Sequence, residues 1–404
     1  MPLIKREIYL KRLESNIGRP FIKVLTGLRR VGKSSLLKLL IMQLQRNGLP
    51  KKNIIYINME SLEFDHLRTY LDLAKYIENL TKTTPGKKFI FIDEVQRVEN
   101  WEKALISLLN PEEFEIFVTG SNSKILSSDI ATFLRGRYTE IRVYPLTFAE
   151  FLTFRHGGDQ EKELKNFIKF GGMPGIHIYN LTEEEEDIYK YLEDILNTIY
   201  FKDIVERFEI REPHLLQALL KFTFDNLGNI TSARSISEFL KKEGRKSSVD
   251  TILNYLYFME SSFLINRIKR FDIKGLRLLE LNEKIYPADW GLRHALFGYR
   301  ERDISGILEN MVINELLVRG YRVYQGTLDN REIDFVAEKG NRIIYIQVCT
   351  TLATEQVKER EFRNLLEIGD NYPKIVISLD RFQPEEYLGI RHFYLPDFLL
   401  SEEF

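Results

Sequence analysis

Short apolar runs alternate with helically spaced segments along the first 150 residues. Ile22–Thr26 (IKVLT), Asn53–Asn58 (NIIYIN), Lys88–Asp93 (KFIFID) and Phe114–Thr119 (FEIFVT) predict strands, each short and rich in β-branched or aromatic residues. After the first of them, SSLLKLLIMQLQRNG has helical spacing and a glycine stop. An amphipathic stretch ending near Lys82 and the segment WEKALISLLN follow in the same alternation. Strands apolar on both faces, separated by helices, predict an α/β core with a parallel sheet covered on both sides. From Phe148 to Phe201 the pattern is mainly helical, broken at Gly171-Gly172-Met173-Pro174-Gly175, with the acidic run Glu183–Asp187 at a helix start. Between about Pro213 and Leu296, HLLQALLKFTFDN, SARSISEFLKKEG and SVDTILNYLYFMESS predict two or three short helices. LINRIKRF and LRLLELNEKIYP close them as a hairpin, a winged-helix pattern. The last hundred residues predict a small α/β unit. A helix near Ile307–Arg319 precedes the extended runs YRVYQGT, REIDFVAEKG and RIIYIQVCTT; the helix KEREFRNLLEI and a strand at Lys374–Leu379 complete it.

Composition narrows the function classes. The 404 residues suggest about two to three domains, and 44% apolar with 29% charged residues is ordinary globular composition. Lys plus Arg number 58 against 59 Asp plus Glu, a net charge of -1, which argues against wholesale coating of a polyanion and leaves local basic faces open. One cysteine, Cys349, excludes an internal disulfide and a multi-cysteine zinc site, and fits a reducing compartment. The first residues, MPLIKREIYLKRLESN, carry charge throughout, and no run approaches the ~18 apolar residues a membrane helix needs, so a cytoplasmic protein without a membrane partner is expected.

The strongest chemical signal is Gly27-Leu28-Arg29-Arg30-Val31-Gly32-Lys33-Ser34, which satisfies G-x-x-x-x-G-K-[ST] between a predicted strand and a predicted helix. Such a loop, continued by Ser35, wraps phosphates with backbone N–H groups at a helix N-terminus. Lys33 is expected to reach the β- and γ-phosphates of ATP and Ser34 to ligate Mg2+. Asp93 and Glu94 end the run FIFIDE at the carboxyl edge of a parallel strand, where ligands bind in such sheets. Asp93 then belongs to the magnesium shell, and Glu94 orients or deprotonates the attacking water. After Phe114–Thr119, Ser121 or Asn122 is placed to sense the γ-phosphate, and Arg135 and Arg137 offer cations for transferred charge, in cis or from a neighbouring copy.

The runs TGLRRVGKSSLL, FIDEVQRVENWEKAL, VTGSNS, LRGRY, PLTFAEF and FGGMPGI together resemble the AAA-type, STAND-related P-loop ATPases of archaea and bacteria that carry a C-terminal domain of unknown function. The resemblance implies four segments: an ATPase core over 1–150, a helical lid over 151–205, a winged-helix-like domain over 206–297, and a restriction-endonuclease-like (PD-(D/E)XK) α/β domain over 298–404. It also implies that Gly172, Met173 and Pro174 form a lid motif contacting the nucleotide base. In the tail it matches Glu309, Asp334, Gln347 and Cys349 to the nuclease motif. Gln347 stands where a carboxylate is expected and Cys349 where a lysine is expected. An amide is a poor magnesium ligand and a thiol no substitute for an ammonium, so the resemblance implies a degenerate site.

Lys241, Lys242, Arg245 and Lys246 precede the third helix of the winged-helix pattern, a position from which cations meet phosphates, and make DNA a candidate partner. A protein partner or a further copy of the chain is the other candidate. The leading expectation is an ATP-hydrolysing switch or machine. The alternatives are an ATP-dependent nuclease and a non-hydrolysing scaffold that binds nucleic acid or protein.

Overall fold

The four predicted strands form as β1 (Ile22–Thr26), β2 (Ile54–Asn58), β3 (Lys88–Asp93) and β4 (Phe114–Thr119), all parallel. The computed structural model describes residues 3–109, 112–121, 125, 134, 136–329, 331–381 and 386–402. By its own contacts the chain divides into two units, Met1–Tyr144 with Ser261–Phe263, and Pro145–Glu260 with Leu264–Phe404.

In the first unit the sheet order is β2-β3-β4-β1-β5, where β5 is Tyr138–Arg142. β1 is buried throughout and β2, at an edge, is buried at alternate positions, as neighbours on two sides or one require. β5 lies parallel to β1 with Ile22 opposite Tyr138 and Thr26 opposite Arg142. Its sequence, YTEIR, lacks the apolar run that marked the other strands, because an edge strand can keep polar side chains. Helices α1 (Glu7–Glu14), α2 (Lys33–Arg46), α3 (Tyr70–Thr81) and α4 (Trp101–Ser107) accompany the sheet among the described residues. Ile57, Leu73, Ile77, Ile90, Ile92, Leu105 and Val118 are among the side chains packed in its core. Lys23 of β1 and Glu115 of β4 form a buried ion pair within it.

The second unit begins with α5 (Phe148–Phe154), α6 (Gln160–Phe170) and α7 (Glu185–Thr198), which runs on into a π-helical segment, Ile199–Glu206. Next come α8 (Pro213–Asp225), the short strand β6 (Ile230–Thr231), α9 (Ala233–Lys242) and α10 (Val249–Ser261). The hairpin of β7 (Ile265–Asp272) and β8 (Arg277–Pro287) follows, then α11 (Trp290–Phe297) and α12 (Ile304–Val318). The tail contributes β9 (Arg322–Leu328), β10 (Arg331–Lys339), β11 (Arg342–Val348), α13 (Glu355–Leu366), β12 (Lys374–Ser378), β13 (Glu386–Tyr387), β14 (Ile390–Tyr394) and α14 (Leu395–Leu400).

Hairpin and tail are one sheet, ordered β13-β14-β12-β11-β10-β9-β7-β8-β6. The join is the parallel pairing of β7 with β9, Arg270 opposite Gln325 and Asp272 opposite Thr327. α12 is buried nearly all round, which explains its continuous apolar sequence and puts Glu309 inside the protein.

Candidate functional site

The loop between β1 and α2 is shaped by two glycines. Gly27 has φ 135° and packs so closely that a Cβ there would lie 2.1 Å from the Val143 carbonyl oxygen. Gly32 has φ 98° and caps α2, with open space where its Cβ would point. Backbone can therefore approach a phosphate closely at this helix N-terminus. Leu28 and Val31 are buried anchors of the loop, Arg30 takes φ 65°, and Arg29 lies 3.9 Å from Glu60. Lys33 is 4% exposed, and its ammonium donates to the carbonyls of Gly27 (2.9 Å) and Leu28 (3.0 Å). A phosphate oxygen would be a stronger, charged acceptor for the same group. Ser34 and Ser35 are half-buried on the first turn of α2.

The ends of β3 and β4 meet this loop's strand at the same sheet edge. Thr119 of β4 pairs with Leu25 of β1, and Gly120 N–H donates to the Leu25 carbonyl at 3.0 Å. Thr119 Oγ1 donates to Asp93 Oδ1 at 2.5 Å and accepts the Glu94 N–H at 2.9 Å. Tyr56 of β2 donates its hydroxyl to Asp93 Oδ2 at 3.1 Å; burial, then the Asp93 charge, push that phenol well above its usual pKa. Glu94 has φ 56°, a conformation costly for a non-glycine residue, and its Oε2 accepts from Ser121 Oγ (3.1 Å) and Gln96 Nε2 (2.5 Å). Two hydroxyls thus aim Asp93, and Ser121 and Gln96 aim Glu94. The hydroxyl of Ser34 and the carboxylate of Asp93 are the hard oxygen donors a magnesium ion takes.

Tyr56, Thr119 and Gln96 were not among the predicted site residues, although Thr119 ends a predicted strand. Arg6 was missed as well. It is buried, and its Nη1 donates to the Val31 carbonyl of the loop at 2.9 Å and to the Tyr144 carbonyl at 3.0 Å. Neither contact has a signal in residue spacing.

Other predicted residues fall elsewhere. Asn122 and Arg135 lie outside the described residues. Arg137 is exposed immediately before β5, and its carbonyl accepts the N–H of Ile22, the first residue of β1. The phosphate loop leaves the opposite end of β1, about 13–16 Å away at ~3.3 Å per residue. A role for Arg137 in cis is thereby corrected: it stands at the wrong sheet edge to touch phosphates on its own chain. Gly172 and Pro174 belong to the second unit and form a packed turn there. Gly172 N–H donates to Asp289 Oδ2 at 2.6 Å, and a Cβ on Gly172 would meet the Leu146 carbonyl oxygen at 2.5 Å. Asp289 is fully buried at the N-cap of α11, and burial raises its carboxyl to about 7 despite three backbone donors.

Lys241 and Lys242 in the last turn of α9, and Arg245 and Lys246 between α9 and α10, are all exposed. The exposed positions of α10 are Val249, Asp250, Leu253, Asn254 and Tyr257, none of them basic. In the tail, Glu309, Asp334 and Gln347 do converge. Asp334 Oδ2 accepts the Val348 N–H at 2.8 Å, and Gln347 Oε1 accepts the Asp334 N–H at 3.3 Å. Burial raises the Glu309 carboxyl, and burial with the Glu309 charge raises Asp334, while the Lys284 ammonium opposes both. Cys349 is buried and its thiol is pushed far up, chiefly by desolvation. A cation that the spacing did not reveal, Lys284 of β8, stands among these carboxylates.

Three family models match consecutive stretches. Residues 19–152 match an AAA domain, 161–303 a Domain of unknown function (DUF8612), and 305–389 a Domain of unknown function (DUF4143). An uncharacterised protein of Haemophilus influenzae is 37% identical over 403 residues, covering 99% of each chain. One of Methanocaldococcus jannaschii is 33% identical over 381 residues, 89% of this chain and 80% of the relative. Among solved structures, a Walker-type ATPase of Pyrococcus abyssi superposes with a TM-score of 0.52 at 16% identity, over 73% of this chain and 96% of that one. At that identity the likeness is one of fold. No helix among the described residues is long and apolar enough to cross a membrane.

Proposed function

The chain belongs to one family with the Haemophilus influenzae protein, carrying an AAA domain ahead of two domains of unknown function, and on that premise we propose that it is an ATP-hydrolysing switch. The observation that carries this reading is the carboxylate pair at the end of β3, aimed by Thr119 and Ser121 at the sheet edge from which the Gly27–Ser34 loop springs. The loop N–H groups and Lys33 bind the phosphates of ATP. Magnesium, when bound by Ser34 and Asp93, supplies charge neutralisation on the β- and γ-phosphates. Glu94, outside that shell and fixed by Ser121 and Gln96, accepts a proton from the attacking water and sets its direction. Ser121 touches Glu94 directly and so links the water-activating group to the end of β4.

The arginine of this reaction comes from another copy of the chain. Arg137, exposed at the far edge of the sheet, reaches a neighbour's phosphates but not its own, so turnover depends on self-association. DNA is the proposed polyanion partner, met by the exposed cations at the end of α9 and in the connection to α10.

Nucleotide binding and phosphate release test the ATPase reading. Lys33→Ala is expected to lose ATP binding, and Glu94→Gln to bind ATP normally while turnover falls about 100-fold or more. Wild-type turnover in both variants overturns it.

A further inference from the structure

Resemblance of the tail to a nuclease-like fold implies a divalent cation held by Glu309 and Asp334, and the residues present do not fit one. Lys284 Nζ lies 3.1 Å from Glu309 Oε2, 2.6 Å from Glu332 Oε1 and 3.6 Å from Asp334 Oδ1, on a side chain only 3% exposed. A magnesium or calcium ion bridging Glu309 and Asp334 needs oxygens within about 2.0–2.6 Å, in the space that this ammonium fills. Two further donors reach the same carboxylates. Tyr286 donates its hydroxyl to Glu309 Oε2, and Val348 N–H donates to Asp334 Oδ2 at 2.8 Å. Gln347, at the usual carboxylate position, turns its amide oxygen to the Asp334 N–H instead.

We propose that Lys284 is the permanent cation of this cluster and replaces a divalent ion. The cluster is a clamp between β8, α12 and β10, and it does not cut nucleic acid. Carboxylates sunk this far into protein need a counter-charge, and isolated buried anions are too costly to keep. A metal would supply that charge from solution; Lys284 supplies it from the chain and cannot leave. Three carboxylates within 4 Å surround its ammonium on a side chain that is almost wholly buried, so the positive charge is matched where it stands. The lysine absent from the position of Cys349 is therefore replaced in space by one from the preceding hairpin, standing between the carboxylates rather than beside a metal.

The test uses the full-length, nucleotide-free protein titrated with Mn2+ by calorimetry, with thermal unfolding alongside. Wild type is expected to show no Mn2+ binding that Asp334→Asn removes. Lys284→Ala, checked for folding by circular dichroism, is expected to gain one Mn2+ per chain and a Tm rise of about 3–5 °C at saturation. That gain is expected to vanish in Lys284→Ala/Asp334→Asn. A folded Lys284→Ala that gains no site overturns the proposal. Should that variant not fold, wild-type crystals soaked in Mn2+ decide it. Anomalous density between Glu309 and Asp334 overturns the proposal, and its absence there, with density found at other Mn2+ positions, supports it. Mn2+-dependent DNA cleavage lost in Asp334→Asn also overturns it. None of these readouts uses ATP, so they stand apart from the ATPase reading.

Discussion

Arg6 joins the Val31 carbonyl of the phosphate loop to the Tyr144 carbonyl beyond β5, and its guanidinium packs 4.4 Å from the Tyr9 ring centre. A rigid, multi-donor head suits this better than a lysine would, since one planar group spans two carbonyls. A second side chain, with a shielded imidazole, has a measurable signature in pH. His177 sits against Phe151 and Phe154, with ring centres 4.7 and 5.2 Å away, and both ring nitrogens are buried without a hydrogen-bond partner among the described residues. Burial, then the charge of Arg155, lowers its pKa to about 3. The unfolded chain takes up that proton near pH 6.5 and the folded one only near pH 3, so the stabilisation is complete above pH 6.5 and is lost as pH falls from 6.5 to about 3. Urea unfolding is expected to show wild type losing about 1–2 kcal/mol more than His177→Phe between pH 7 and pH 5. A difference that stays constant with pH would refute the assignment. Residues of this kind were illegible beforehand because a histidine in GGMPGIH has no spacing that reveals aromatic neighbours.

Elements were legible where one sequence window contained the whole cause. β1, β3 and β4 are apolar because helices cover both faces, and their ends matched the apolar runs. β5 escaped notice because its partner, β1, supplies the register that its own polar sequence does not. α3 starts at Thr69, whose hydroxyl accepts the Asp72 N–H while the Asp72 carboxylate accepts the Thr69 N–H, a local cap that any context would favour. The last turn of α9, which holds Lys241 and Lys242, is where the proposed DNA contact can be tested. With Asp250 and apolar groups on the free positions of α10, binding there rests on phosphates rather than base edges. Lys241→Ala/Lys242→Ala is expected to reduce the slope of log affinity against log salt by about 2, equally for unrelated DNA sequences. An unchanged slope would remove this turn of α9 from the interface.

At the scale of the whole molecule, the position of Arg137 turns a question of sequence into one of assembly. Neither Lys33→Ala nor Arg137→Ala protein alone is expected to turn over ATP. A mixture is expected to recover up to about one quarter of the wild-type rate, because sites that pair an intact loop with a neighbour's Arg137 form again. No recovery, with mixed assemblies demonstrated, would count against a shared site. The joining of the hairpin to the tail belongs to this scale too. The sequence suggested a winged-helix pattern and a separate α/β tail, whereas β7 pairs with β9 and Lys284 crosses into the tail's carboxylates. By itself the sequence determined the phosphate loop, the Asp93–Glu94 pair and the parallel core. Their physical causes are contiguous: glycine torsions, a helix N-terminus and a strand apolar on both faces are each written within a few residues. Only the tertiary structure decided which hydroxyls aim the carboxylates, which sheet edge Arg137 occupies, and that Lys284 stands among the carboxylates of the tail. Each of these is a pairing of charges or donors through space, and residues far apart in the chain carry no mark of the partner that folding brings to them.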